Sequence, residues 1–425
     1  MRPQRLLNLQ VYSQRSSKDY KGDPEALMWH HMHPDAYPMV IANKHATSRQ
    51  HYMAMVNRIG LKDGLRMPFN YLQFDKQGRM PKDMEEMFDV MEELGHGVLL
   101  VNMDGHAQRP QSTSVGGATT IEGWRKVFDK VSDFQAQSFE RLCDWLDKRP
   151  NLKIHGFELI NEPDGYDHAA ATCEIPKHRA LPVFKEIFTR HLLRLIDILE
   201  KRGYGHLTVL VPGWKFQGWL DRLDDTPLEA FGGRTPLKVL QDRLGDRIAY
   251  GLHFYPDWFG SVETRDEMIG EFNRRLGSVV NEKHRVWTTE INANNFDAND
   301  WRNRGREAKK TFEFPRFFDW LAHQDYSTCW WPGPNWARSR PMVITHTGDV
   351  RNNYPNSMTA LLLLWWLSYP DDTAGSRIAY EAVEVRSSNP TKRVNIEFAP
   401  LDVPATLKAE PGAWNGSTAG IRQAS

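Results

Sequence analysis

Eight short β-rich apolar runs alternate with longer amphipathic stretches along the chain, and no GxGxxG turn follows an early run. This alternation favours parallel strands joined by helical crossovers. The missing glycine-rich turn removes the usual sign of an open doubly wound sheet. The predicted fold is therefore α/β, a (β/α)8 TIM barrel with long βα loops and a C-terminal extension. About 250 residues suffice for such a barrel. The chain has 425, so the surplus belongs to loops and to the extension.

The expected strands are 6–11, 64–69, 97–103, 153–160, 207–211, 248–254, 285–290 and 327–331. Between them, 82–94, 123–148, 182–202 and 265–276 have the spacing of helices with one apolar face, and 358–367 reads as a last, strongly apolar helix. One barrel is expected over 1–370. Residues 17–50, rich in His, Met and Asp, form a long first loop. Residues 371–425 form the extension: alternating segments at 379–385 and 393–398 read as a hairpin, followed by a Gly/Ala/Ser-rich flexible tail.

Composition excludes several classes. Basic and acidic residues number 54 each, against a protein built to hold nucleic acid or an anionic membrane. The longest apolar run, 360–367, falls far short of the roughly 20 residues a membrane span needs. Cys143, Cys173 and Cys329 are widely spaced and read as buried thiols rather than a disulfide frame or metal set. No signal core or cleavage site is visible at the N-terminus, which suits a cytoplasmic chain or a mature secreted form. The unusual feature is 15 tryptophans, which fill cores but also stack on the flat apolar faces of sugars.

In a barrel, chemistry collects where strands end. Read in order, the ends offer Arg66, His106, Asn161 with Glu162, His253 with Tyr255, Glu290, and Trp330 with Trp331. The Asn-Glu-Pro triplet suits a strand end, because Pro163 has no amide hydrogen and stops the pairing. Glu162 and Glu290 fall on the fourth and seventh strands, across the mouth from each other. Two carboxyl groups about 5–5.5 Å apart on either side of a sugar are the arrangement of a retaining glycosidase.

This ordered set resembles glycoside hydrolase family five, the cellulase-like retaining enzymes of clan A, over about residues 5–370. Its eight recurring residues have counterparts in Arg66, His106, Asn161, Glu162, His253, Tyr255, Glu290 and Trp331. The resemblance implies that Glu162 is the acid/base and Glu290 the nucleophile. It implies that Asn161 holds the 2-hydroxyl of the reacting sugar, and that Tyr255 and Arg66 donate to Glu290. His106 and His253 are expected to bind sugar hydroxyls or orient the glutamates, with Trp331 under the sugar. The resemblance requires no metal and no cofactor. The implied substrate is an oligo- or polysaccharide, a β-linked glucan or mannan cut internally. His155 departs from the usual aliphatic pattern, and Ile154 is the alternative inward residue.

Other residues have plainer readings. Glu158 shares a face with Glu162 and is expected to be a buried carboxylate paired with an arginine. Trp214 and Trp258 follow strands five and six closely and are candidate sugar platforms. His30, His31 and His33 are loop histidines without a supporting carboxylate pattern. The competing function is a carbohydrate-binding protein on a glycosidase-like barrel. A metal-dependent lyase is a third reading.

Overall fold

Eight parallel strands close into one barrel in chain order, with β1 pairing both β2 and β8. They are β1 (Arg5–Asn8), β2 (Gly64–Phe69), β3 (Gly97–Asn102), β4 (Lys153–Glu158), β5 (Val209–Pro212), β6 (Ile248–Phe254), β7 (Val286–Ile291) and β8 (Ser327–Trp330). Around them run α1 (Lys82–Leu94), α2 (Gly105–Gln108), α3 (Ile121–Leu146), α4 (Asp164–Thr172), α5 (Lys177–Lys201), α6 (Pro236–Leu244) and α7 (Arg265–Leu276). The computed structural model describes residues 3–8, 61–80, 82–255, 262, 264–291 and 323–330, with parts of 49–56 and 316–321 and four short strands at 342–344, 350–352, 384–386 and 395–397.

The expected alternation is realised as a (β/α)8 barrel; α2, α4 and α6 are not among the expected helices, and the expected elements differ at their ends. β4 stops as a ladder at Glu158, two residues early, yet the chain holds its course: Leu159 N–H donates to Leu210 of β5 and Asn161 N–H to Asn102 of β3. The α3 helix opens under a Thr120 cap, and α7 under a capping box between Thr264 and Glu267; each cap satisfies amides that the first turn leaves orphaned.

Side chains alternate across each strand, and this divides the barrel interior into two layers. Leu6, Leu99, Leu210, Ala249, Trp287 and Cys329 form an apolar plug separate from the larger cluster between strands and helices. Two residues further along β1, on the face of Leu6, stands Asn8; four along β6 from Ala249 stands His253. The same period carries Glu158 on β4 inward. A polar layer therefore sits on an apolar floor.

His155 corrects one expectation. The β3–β4 register shifts between Val98 and Leu99, so that Leu99 pairs with Gly156. Ile154 packs against the outer cluster. His155 lies 6.2 Å from Trp287 of the plug, and its Nε2 is 3.0 Å from the Asp63 carbonyl. The bulge, rather than side-chain polarity, decides which residue faces in.

Within 371–425, β11 (Glu384–Arg386) and β12 (Asn395–Glu397) pair antiparallel; β9 (Met342–Ile344) and β10 (Val350–Asn352) form a second, unanticipated pair. The expected loop 17–50 and helix 358–367 lie outside the described residues. Cys143 and Cys329 are buried, Cys173 is half-buried, and none is in a disulfide. No helix among the described residues is long and apolar enough to cross a membrane.

The plug underlies the polar layer, so truncating it is costly. Leu210→Ala is expected to lose about 2–5 kcal/mol in urea unfolding. A loss below about 0.5 kcal/mol, the range of a surface substitution, would contradict the two-layer interior.

Candidate active site

Arg66 stands at the centre of the polar layer, on β2 and 1% exposed. A guanidinium has five N–H donors, and each meets an acceptor. Nε donates to Glu158 Oε2 at 2.7 Å, and Nη2 to Glu158 Oε1 at 3.0 Å and Asn161 Oδ1 at 2.8 Å. Nη1 donates to Asn8 Oδ1 at 2.7 Å and Glu290 Oε1 at 3.1 Å. One side chain thus ties β1, β2, β4 and β7 together. Burial alone would lower the Arg66 pKa, but Glu158 and Glu290 outweigh it and hold the charge. Burial would likewise raise Glu158, and Arg66 reverses the direction, so Glu158 stays a carboxylate.

The two glutamates meet above this frame. One carboxylate oxygen of Glu162, one of Glu290 and a ring nitrogen of His253 all lie within 4.8 Å of one another. His253 sits beside Glu290 in the β6–β7 ladder, and its Nδ1 is 3.0 Å from Glu162 Oε1 and 3.5 Å from Glu290 Oε2. Burial lowers His253 to about 4, so the ring is neutral at neutral pH. Tyr255 follows β6 and donates its hydroxyl to Glu290 Oε2 at 2.6 Å.

The surroundings divide the acids. Glu290 accepts from an arginine and a tyrosine. Burial raises its pKa, and Arg66 and the Tyr255 hydroxyl pull against that rise. Glu162 accepts a close contact from the Gln108 amide, and burial raises it to about 7. The Arg66 and Tyr255 donors favour the ionised form of Glu290, while burial carries Glu162 to a proton affinity near neutrality, and acid and nucleophile chemistry requires two carboxyls so divided. The Glu162 backbone sits at φ 44, a left-handed conformation uncommon away from glycine and often found at functional positions.

Six expected residues therefore converge: Arg66, Asn161, Glu162, His253, Tyr255 and Glu290. Asn161 turns its oxygen to Arg66, which directs its NH2 away from the guanidinium. Glu158 is the arginine-paired carboxylate expected. His106 departs from expectation. Its Nδ1 is 2.7 Å from Asp104 Oδ1, and its ring stacks on Phe134 with centroids 4.7 Å apart. The ring is fully buried, and the residue of this segment that reaches Glu162 is Gln108, two positions on.

Trp214 is 3% exposed, donates to Asp167 Oδ1 at 3.1 Å and meets Phe188 edge-on at 5.5 Å. Its edge lines a cleft of about 300 Å³ with Trp219 and Lys215. Trp330 packs against Phe318, in the outer cluster. Trp258 and Trp331 lie outside the described residues, as do His30, His31 and His33.

Sequence reasoning missed Asn8, Gln108 and Gln217. Asn8 was findable as the polar end of the first strand. Gln108 sits one short helix past its strand, and Gln217 in a turn with no periodic pattern.

Glu162, His253 and Glu290 are spaced closely enough to hold a metal ion. Their oxygens already accept from Arg66, Tyr255 and Gln108, and a cation there would face the Arg66 charge. The site as built suits a pair of carboxyls acting as proton donor and nucleophile.

Paired carboxyls at the ends of β4 and β7 of a closed barrel, with an arginine and a tyrosine on one of them, define a glycoside hydrolase. The family model for cellulase, glycosyl hydrolase family 5, matches residues 65–336, and the chain belongs to that family. No curated protein matches the chain. Among solved structures it is similar to a beta-glucanase from Saccharophagus degradans in complex with cellotetraose, with 13% identity, TM-score 0.44, and 87% of this chain and 89% of that one covered. It is also similar to a conserved exported protein from Bacteroides fragilis, with 12% identity, TM-score 0.48, and 96% and 83% covered. A family 5 xyloglucanase from Paenibacillus pabuli gives 13% identity and TM-score 0.43, with 75% and 90% covered.

A raised carboxyl pKa makes stability depend on pH. Between the unfolded value near 4.5 and the folded value of about 7, the native state binds more protons at Glu162, so rising pH destabilises it. Glu162→Gln removes that penalty. The variant is expected to gain up to about 3 kcal/mol over the parent at pH 8, and the gain should vanish near pH 4. Urea unfolding across pH checks this, and a gain that does not vary with pH would contradict it.

Proposed function

We propose that the chain is a retaining β-glycoside hydrolase working by double displacement, endo-acting on a β-linked glucan or mannan. The observation that carries the reading is the separation of the glutamates. One oxygen of Glu162 and one of Glu290 approach within 4.8 Å, a closeness that suits the roughly 5–5.5 Å spacing of a retaining pair of carboxyls.

In the first step a Glu290 oxygen bonds to the anomeric carbon as the glycosidic C–O bond breaks. Glu162 gives its proton to the departing oxygen. In the second, Glu162 takes a proton from water, whose oxygen displaces Glu290 from the same carbon. Arg66 and Tyr255 aim Glu290 and spread its charge. Asn161 is assigned to the 2-hydroxyl, a contact that strengthens in the transition state. Trp331 and Trp258 keep their assignment as sugar platforms. The cellulase name of the family makes β-glucan the first polymer to test.

The cleavage test is release of reducing ends from a panel of β-glucans and mannans, in buffer with and without a chelator. Cleavage that survives the chelator supports the two-carboxylate route. No cleavage of any polymer favours a binding role.

The glutamates are separable. Glu290→Ala is expected to abolish turnover on all substrates. Glu162→Ala is expected to cut kcat/KM about 10²–10⁴-fold on unactivated glycosides, the usual worth of a general acid, and far less on aryl glycosides whose leaving group needs no proton. In the parent, kcat/KM should fall as pH rises through about 7, where Glu162 loses its proton. Equal losses on both substrate types would contradict the assigned roles.

A further inference from the structure

Gln217 lies in none of the expected site positions, yet it is fully buried and hydrogen-bonded to the Glu162 backbone and to Thr289, the neighbour of Glu290. It ends the turn Trp214–Gln217 that follows β5. Its Oε1 accepts the Glu162 backbone N–H at 3.2 Å. Its Nε2 donates to Thr289 Oγ1 at 2.9 Å and closely to Glu158 Oε1. Thr289 is the residue before Glu290, and Glu158 is the carboxylate held by Arg66. One neutral amide thus spans β4 and β7 between the two acids.

The backbone is bent to place it. Three residues other than glycine have positive φ among the described residues, Glu162 at 44, Lys215 at 65 and Gln217 at 59. Two of the three belong to this turn, and the third donates its backbone N–H to the Gln217 side chain. Such conformations cost about 1–3 kcal/mol each and persist where surrounding contacts over-determine them. The neighbouring sequence makes room: a Cβ at Gly251 would lie 2.7 Å from Gln217 Nε2, and one at Gly213 would lie 2.9 Å from the Gln217 carbonyl oxygen.

Only an amide answers both sides. The Glu162 N–H needs an acceptor, and Glu158 and Thr289 need donors. A glutamate would set a second negative charge against Glu158, and a methionine of similar length would offer neither function.

We infer that Gln217 is a positioning residue that holds Glu162 in its left-handed backbone conformation, and so sets the aim of the acid/base carboxyl. This rests on the acid/base reading of Glu162 above. Freed from Gln217, the Glu162 backbone is expected to relax and carry its carboxyl off the line of the leaving oxygen. A misplacement of about 1 Å costs on the order of 10²-fold. The loss should appear where protonation matters and not where the leaving group departs unaided.

The test compares Gln217→Met with the parent on an unactivated oligosaccharide and on an activated aryl glycoside. Unfolding is measured alongside, and parental activity on both substrates is established first. A parent inactive on both overturns the glycosidase reading rather than the role of Gln217. With an active parent, kcat/KM on the oligosaccharide is expected to fall about 30–100-fold. On the aryl glycoside it should fall less than about 3-fold, with the alkaline limb of the pH profile displaced. Equal falls on both substrates with an unmoved pH limb would overturn the inference, as they would mean general loosening. Should Gln217→Met not fold, Thr289→Val carries the same test. It removes one anchor of the Gln217 amide and leaves the Glu162 contact, so the same skew is expected at smaller size. An unskewed loss, or none, overturns the inference.

Discussion

The Arg66 guanidinium is the interaction on which the site depends. All five of its donors are used, across β1, β4 and β7 as well as the loop end at Asn161. A buried cation with any donor unmet would be costly, so the acceptors must arrive together. Glu158 gives the bidentate pair that neutralises it. Asn8 and Asn161 take donors without adding charge, and Glu290 receives what remains. Lysine keeps the charge but not the planar fork.

Different environments follow from that frame for two chemically identical side chains. Glu290 sits against the cation and the Tyr255 hydroxyl. Glu162 stands across from it with amide and imidazole partners, and burial acts on it with less opposition. The site is destabilising in itself: burial pushes the Glu162 carboxyl up to about 7, and its backbone is held off the usual regions. The apolar plug and the outer core offset that cost, as folds generally do at working sites.

The fold was legible because strand and helix periods differ, and the eight strands follow one another round the barrel in chain order. Glu162 and Glu290 were legible because they sit at strand ends, where position in the chain fixes position at the mouth. The same logic failed for His106. It lies beyond the end of β3, in the four-residue helix Gly105–Gln108, where its ring is buried against Asp104 and Phe134. Gln217 was invisible for a related reason. Its inward direction is set by two left-handed residues in an aperiodic turn, which no alternation of apolar and polar residues encodes. Trp214 shows the limit of composition, since a tryptophan near a strand end can be spent on packing against Phe188. His155 shows the limit of alternation itself, because a register shift reversed which neighbour faces in.

The closeness of the two carboxyls is the claim most directly open to measurement. Proton NMR of a β-linked oligosaccharide digest, followed from the first minutes before mutarotation, reports the anomer released. The β-anomer appearing first, with the α-anomer growing in later, is the expected result. An α-anomer formed first would mean a single displacement through water, and the glutamates could not then work at the separation found here.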